Sequence, residues 1–242
     1  MAWQYGTPLA IVDGAGGVDV VCGGADLQGA LGAASMPGTE ISLESNLRAS
    51  LGQLCADRAY DLVLIDSGPG DTKLLDAYLR ASRWLIVPTI SDEASLAGLD
   101  KMGARFVTAK QAGAEIECLG AVLTKINHQA TARNRAIRGE LTEALGDAAR
   151  PFESMIRYSD ANSIDARRHG MSAHDVAGEA VSQRKTRLAG LRERARGEHR
   201  PSSDNTAWWS NSKNSGSGLA ADYEALTREI LTRISEREAA YV

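Results

Sequence analysis

Hydrophobic positions along the 242-residue chain fall into short apolar runs separated by amphipathic stretches. Residues 18–22 (VDVVC) are an apolar run bounded by glycines, which predicts a short strand. Leu43, Leu47, Leu51 and Leu54 recur at intervals of four, four and three. That spacing keeps one helix face apolar and predicts a helix over 43–58. The run LVLID follows Tyr60–Asp61 and ends at Asp66, after which SGPG turns the chain into a helix expected over 71–82. WLIVP (84–88) is a further buried run, followed by a long helix over 95–113. LGAVLTKI, from Leu119, predicts a strand, 131–145 a helix, and FESMI (152–156) a weaker strand. Helical segments are expected over 172–197 and 219–239.

Strands that are apolar throughout must be covered on both faces. Alternating with helices, they imply an α/β fold: a mostly parallel sheet flanked by helices on both faces, with right-handed crossovers. The pattern reads as a single domain over 1–242, interrupted by residues 201–218 (PSSDNTAWWSNSKNSGSG). That stretch is rich in Ser and Asn, has no period, and is expected to be a flexible surface loop insertion. Trp208 and Trp209 within it suit stacking on a base, docking on a partner, or packing back onto their own domain.

Composition narrows the class. The chain is 43% hydrophobic, enough for a sizeable core, and 27 basic against 31 acidic side chains give a net charge of -4. A uniformly basic nucleic-acid coat and an acidic disordered tail are both excluded. Charge is unevenly placed: residues 1–100 carry 5 basic and 13 acidic groups, whereas 184–200 carries 7 basic and 2 acidic. A local basic patch of this kind can hold a phosphate backbone, or form a solvated helix face. Three widely spaced cysteines, Cys22, Cys55 and Cys118, rule out a disulfide framework and zinc-ligand spacing, and point to a reduced, cytoplasmic protein. The start lacks the basic-then-apolar layout of a signal peptide, and no apolar stretch is long enough to span a membrane.

Candidate chemistry centres on YDLVLIDSGPG (60–70). An apolar strand ending in an acid places a carboxylate at the carboxyl edge of the sheet, where open α/β folds bind ligands. Asp66 is the candidate to hold Mg²⁺ through water, or else to cap the next turn. The glycines after it allow a tight turn and close approach of a phosphate. The four histidines, His128, His169, His174 and His199, form no metal-ligand pattern and no hydrolytic triad, and are expected at the surface.

In order and spacing, several segments resemble the ParA/MinD/Soj family of partitioning ATPases. They are GGVDVVCGGADL (16–27), the Asp66 segment, the 71–102 stretch that follows it, GAVLTKIN (120–127), MIRYSDANSIDARRHGMSAHDVA (155–177) and DYEALTREIL (222–231). The resemblance implies a P-loop NTPase-like fold, Mg²⁺ and ATP as cofactors, dimerisation around nucleotide, non-specific DNA binding, a ParB-like centromere-binding partner, and a cytoplasmic, nucleoid-associated protein. It implies a catalytic, Walker B role for Asp66, nucleotide contacts near Gly68, Pro69, Thr124 and Lys125, and DNA contacts from Arg157, Arg167 and Arg168. With Arg184, Lys185 and Arg187 those arginines are expected to form a strip along one face.

The resemblance also leaves a gap. The family opens with a lysine-bearing P-loop, and this sequence contains no Gly-Lys-Ser/Thr. The P-loop amides and lysine supply most of the charge stabilisation in phosphoryl transfer. The chain is therefore expected to begin one βαβ unit late, as an N-terminally truncated form, weak or inactive in ATP turnover. The alternative is a non-catalytic ParA-like protein that binds DNA or a partner. Loss of the first strand would expose the sheet edge beside Asp66, unless TPLAIV (7–12) refills it.

Overall fold

The computed structural model describes residues 11–13, 18–21, 42–68, 72–179, 192, 196 and 215–241. Its elements are strands β1 (Ile11–Asp13) and β2 (Asp19–Val21), helices α1 (Leu43–Arg58) and α2 (Thr72–Ala81), strand β3 (Trp84–Thr89) and helix α3 (Glu93–Gln111). Strand β4 (Glu117–Leu123) and helices α4 (Thr131–Leu145), α5 (Asp160–His169) and α6 (Ser215–Ala239) follow. The protein is mixed α/β. Its contacts divide it into two units, Met1–Leu85 with Lys101–Glu117, and Ile86–Asp100 with Cys118–Val242.

In the first unit, β1 and β2 form an antiparallel hairpin in which Val12 faces Val20. Helix α1 begins where Ser42 accepts a hydrogen bond from the Ser45 N–H at 3.2 Å. It ends at Ala59, whose left-handed backbone lets its N–H reach the Cys55 carbonyl. Of the four leucines that predicted this helix, Leu47 is buried and Leu43, Leu51 and Leu54 are half-buried. Glu44 forms ion pairs with Arg48 and Arg80, joining α1 to α2. The core of this unit gathers Leu79 of α2, Ala109 of α3, Ala114 and Ile116, with Leu75, Leu85, Met102 and Phe106 packed against them.

In the second unit, Leu99, Ala121, Leu123, Ile126, Ile137 and Leu141 form the core, with Val87, Leu145 and Met155 packed around it. Strands β3 and β4 are paired. The Glu117 N–H donates to the Arg83 carbonyl, and the Thr124 N–H donates to the Thr89 carbonyl, so the two strands run in the same direction. Six of the seven β4 residues are buried, as expected for a strand covered on both faces.

Three expectations need correction. Residues 62–66 do not form a strand: no backbone ladder among the described residues includes them, and Leu62, Val63 and Leu64 are 48%, 39% and 82% exposed. An apolar run becomes a strand only when a neighbour takes up its N–H and C=O groups. Ile11 and Val12 do not supply that neighbour, because they pair with β2; residues 7–10 lie outside the described set. Next, 152–156 runs beside β4 without becoming a regular strand. The Phe152 N–H donates to Ala121 and the Ile156 N–H to Leu123, but between them the Glu153 and Ser154 N–H groups turn to the Glu229 carboxylate. Last, α6 starts at Ser215, so the final four residues of the expected 201–218 loop are helical; 201–214, with both tryptophans, lie outside the described set.

Gly120, in β4, fixes how closely this segment packs. Its φ is +145°, and a Cβ there would lie 2.3 Å from the Arg150 carbonyl oxygen and 2.8 Å from Arg233 Nη1. Gly120→Ala is expected to destabilise the protein by about 3 kcal/mol, from backbone strain and overpacking together. Urea unfolding followed by circular dichroism measures this, and an unchanged midpoint would contradict the packing just described.

Candidate functional site

Three chain segments of the second unit end in turns that lead into helices. β3 ends at Thr89 before α3, β4 ends at Leu123 before α4, and the 152–158 segment ends before α5. In open parallel sheets ligands bind at this carboxyl edge, where helix N-termini also point. Thr124 locks two of these ends together: its N–H and its hydroxyl both donate to the Thr89 carbonyl, at 2.7 and 3.1 Å. Lys125, next to it, is exposed and takes a left-handed backbone with φ 53°. Across the edge, Asp92 accepts from the Ser95 N–H at 2.7 Å and so caps α3. Hydrogen bonding by Ser95, with a smaller contribution from the Lys125 charge, holds the Asp92 carboxyl below its ordinary range.

The third segment carries the strongest electrostatics. Arg157 and Ile126 face each other in a parallel bridge. The Arg157 N–H and Nε donate to Asp222 Oδ2 at 3.0 and 2.6 Å, and its Nη2 donates to Oδ1 at 2.8 Å. Asp222, on α6, is 8% exposed, and His128 Nε2 lies 3.4 Å from its Oδ1. Burial alone would raise the Asp222 carboxyl, but Arg157 and His128 together hold it below the usual carboxylate range. The hydrogen bond to Asp222 raises Arg157 in turn.

Two turns further along α6, a second set of contacts repeats this logic. Glu229 accepts from the Glu153 and Ser154 N–H groups at 2.9 and 2.8 Å, and from Arg233 at 2.7 Å. Burial would raise this carboxyl, yet these donors hold it low. Arg233 also donates to the carbonyls of Leu119, Arg150 and Pro151, and its guanidinium lies 4.0 Å from the centre of the Phe152 ring.

No protein-family model and no curated protein matches the chain. The geometry is therefore weighed residue by residue. Asp66 is exposed on the unpaired 61–68 segment of the first unit. Thr124 and Lys125 belong to the second unit. Gly68 has open space where a Cβ would sit, so its backbone makes no close approach that demands glycine. Pro69 lies outside the described residues, as do Arg184, Lys185 and Arg187. The described residues include no group of three His, Cys, Asp or Glu side chains arranged to hold a metal. Among the described residues no strand pairs with the segment that carries Asp66, and the sequence contains no Gly-Lys-Ser/Thr, so the described residues alone do not form a Mg-ATP site.

The arginine strip is also revised. Arg157 is half-buried and its guanidinium is paired with Asp222 rather than free. Arg167 and Arg168 are exposed on α5, and neither makes an ion pair among the described residues. Sequence reading missed Asp222, Glu229 and Arg233 as partners. The only signal was the Glu229–Arg233 spacing of four on a helix, since Asp222 and Arg157 lie 65 residues apart. His128 is exposed, as expected, and stands beside the buried Asp222 carboxylate, a pairing the sequence did not indicate. No helix among the described residues is long and apolar enough to cross a membrane.

The two depressed carboxyls make acid stability predictable. In the unfolded chain they take up protons near pH 4, while in the native state they resist until lower pH. Their stabilisation is thus complete above about pH 5 and is lost as pH falls through the native values. Urea midpoints measured from pH 7 downward should fall across this range, and Glu229→Gln should flatten the fall. Arg157→Ala, by leaving Asp222 buried and unpaired, should lower stability at pH 7 by about 3 kcal/mol.

Proposed function

We propose that the chain is a ParA-like nucleic-acid-binding protein, and that these 242 residues bind without turning over ATP. The observation that carries this reading is the pair Arg167–Arg168, adjacent, exposed and without an ion-pair partner among the described residues. Guanidinium groups at successive helix positions, with no ion-pair partner among the described residues, suit the phosphate backbone, which any sequence presents. The parallel β3–β4 pair, with a helix after each strand, supports a P-loop NTPase-like architecture as its broader frame. The order of motifs from residue 16 to residue 231 supports membership of the partitioning family. Self-association, a ParB-like partner and nucleoid association belong to the same reading. Catalysis does not, because Asp66 lies exposed on a segment that no strand among the described residues positions.

Fluorescence anisotropy with a random-sequence DNA duplex, titrated at several salt concentrations, tests this. Affinity should fall steeply as salt rises, because each neutralised phosphate releases counterions. Replacing both Arg167 and Arg168 by Ala should reduce the slope of log affinity against log salt by about 2. An unchanged slope would overturn the assignment of these residues. A Mg-ATP titration of wild type and Asp66→Ala should give no Asp66-dependent binding, and such binding would restore the ATPase reading.

A further inference from the structure

Asp222 sits in a cradle whose donors are arranged for an oxyanion. Three come from Arg157, the backbone N–H, Nε and Nη2, at 3.0, 2.6 and 2.8 Å from the carboxylate oxygens. His128 Nε2 lies close by, 3.4 Å from Oδ1. A guanidinium fork joined by a backbone amide, with an imidazole close by, binds two oxygens of a phosphate as readily as those of a carboxylate. The cradle lies at the carboxyl edge of the sheet, beside Ile126, and His128 keeps its outer side open to solvent at 45% exposure. What fills it comes from a distant element, the early part of α6. Gly218 marks how closely that helix covers it: a Cβ there would lie 2.2 Å from Arg157 Nη1.

We propose that Arg157 and His128 form a latent phosphate-binding site, which Asp222 occupies in cis until the first turns of α6 lift away. Asp222 then acts as a built-in competitor: phosphate gains the cradle only by displacing it. The anchor formed by Glu229 and Arg233 lies two turns further along and holds the rest of the helix, so opening is confined to the segment around Gly218–Asp222. The site is separate from Arg167 and Arg168 and does not depend on the DNA-binding role given to them. Its ligand is a phosphate group, either free or within a nucleic-acid backbone.

Two measurements on the full chain decide it. In the wild type, amide hydrogen exchange is compared in inorganic phosphate and in sodium chloride of equal ionic strength. Phosphate should accelerate exchange around Gly218–Asp222 while the Arg157 amide stays protected. In the second, Asp222→Asn removes the competing charge and keeps the side chain's shape. Phosphate affinity, followed by ³¹P chemical shift, should rise about tenfold or more, the equivalent of one charge-assisted hydrogen bond. The gain should vanish in Asp222→Asn combined with Arg157→Gln. A DNA duplex that competes phosphate off Asp222→Asn identifies a nucleic-acid phosphate as the ligand; failure to compete, with phosphate still bound, identifies free phosphate. Wild-type exchange that is the same in both salts overturns the proposal and leaves Asp222 a strut. Should Asp222→Asn fail to fold, the wild-type exchange experiment decides alone.

Discussion

Backbone groups that leave a sheet edge must find new partners, and in the second unit Arg233 takes up carbonyls while Glu229 takes up N–H groups. Arg233 donates to the carbonyls of Leu119, Arg150 and Pro151 and to the Glu229 carboxylate. Without it the part-buried Leu119 and Pro151 carbonyls would lose their donor, each at a cost of about 1–3 kcal/mol, and the exposed Arg150 carbonyl would turn to water. The same crowding explains Gly120: a side chain there would meet both the Arg150 carbonyl and the Arg233 guanidinium. The Phe152 ring, under the guanidinium, closes the arrangement from the apolar side.

From this anchor the irregular course of 152–158 follows. Glu229 draws the N–H groups of Glu153 and Ser154 away from β4, so the chain touches the sheet at Phe152, leaves it, and returns at Ile156. The return brings Arg157 opposite Ile126 and under Asp222. Helix α6 is therefore joined to this unit by charge-assisted hydrogen bonds as well as by an apolar row in which Leu226, Ile230 and Ile234 are half-buried. Leu219 and Ala220 are the residues it buries as apolar contacts. Polar attachment of this kind is geometrically exact in its partners but sensitive to their charge state, which an apolar interface would not be.

The helices with strong local signals were legible in the sequence. The bounds of α1 and α4 match those expected, and β3, β4, α2 and α3 differ by a few residues. Leucine spacing in α1 and the continuous apolar run of β4 report local periodicity and burial, both of which the chain carries within one element. Helix α5 was not legible: Asp160–His169 is mostly polar, and its one large apolar residue, Ile164, is 52% exposed. Residues 62–66 misled for the opposite reason. Their apolar run is strand-like, but a strand is a property of two segments, and the second is not among the described residues. In the candidate site, residue types were read correctly while their partners were not. Nothing local to Arg157 announces a carboxylate 65 residues away.

That difference governs how the arginines are understood. Arg157, Arg167 and Arg168 are the same side chain within one short stretch, and sequence alone assigns them one role. The fold separates them. Arg157 faces a carboxylate that is 8% exposed, and neither partner can leave without stranding a charge; Arg167 and Arg168 face solvent. A phosphate arriving at α5 displaces only water and counterions, whereas one arriving at Arg157 must first move Asp222. On the proposed reading, a polyanion would meet the α5 arginines first and reach Arg157 only when α6 yields. The ion pair between Arg157 and Asp222 would then set an order of engagement between two basic sites that the sequence presents as equivalent.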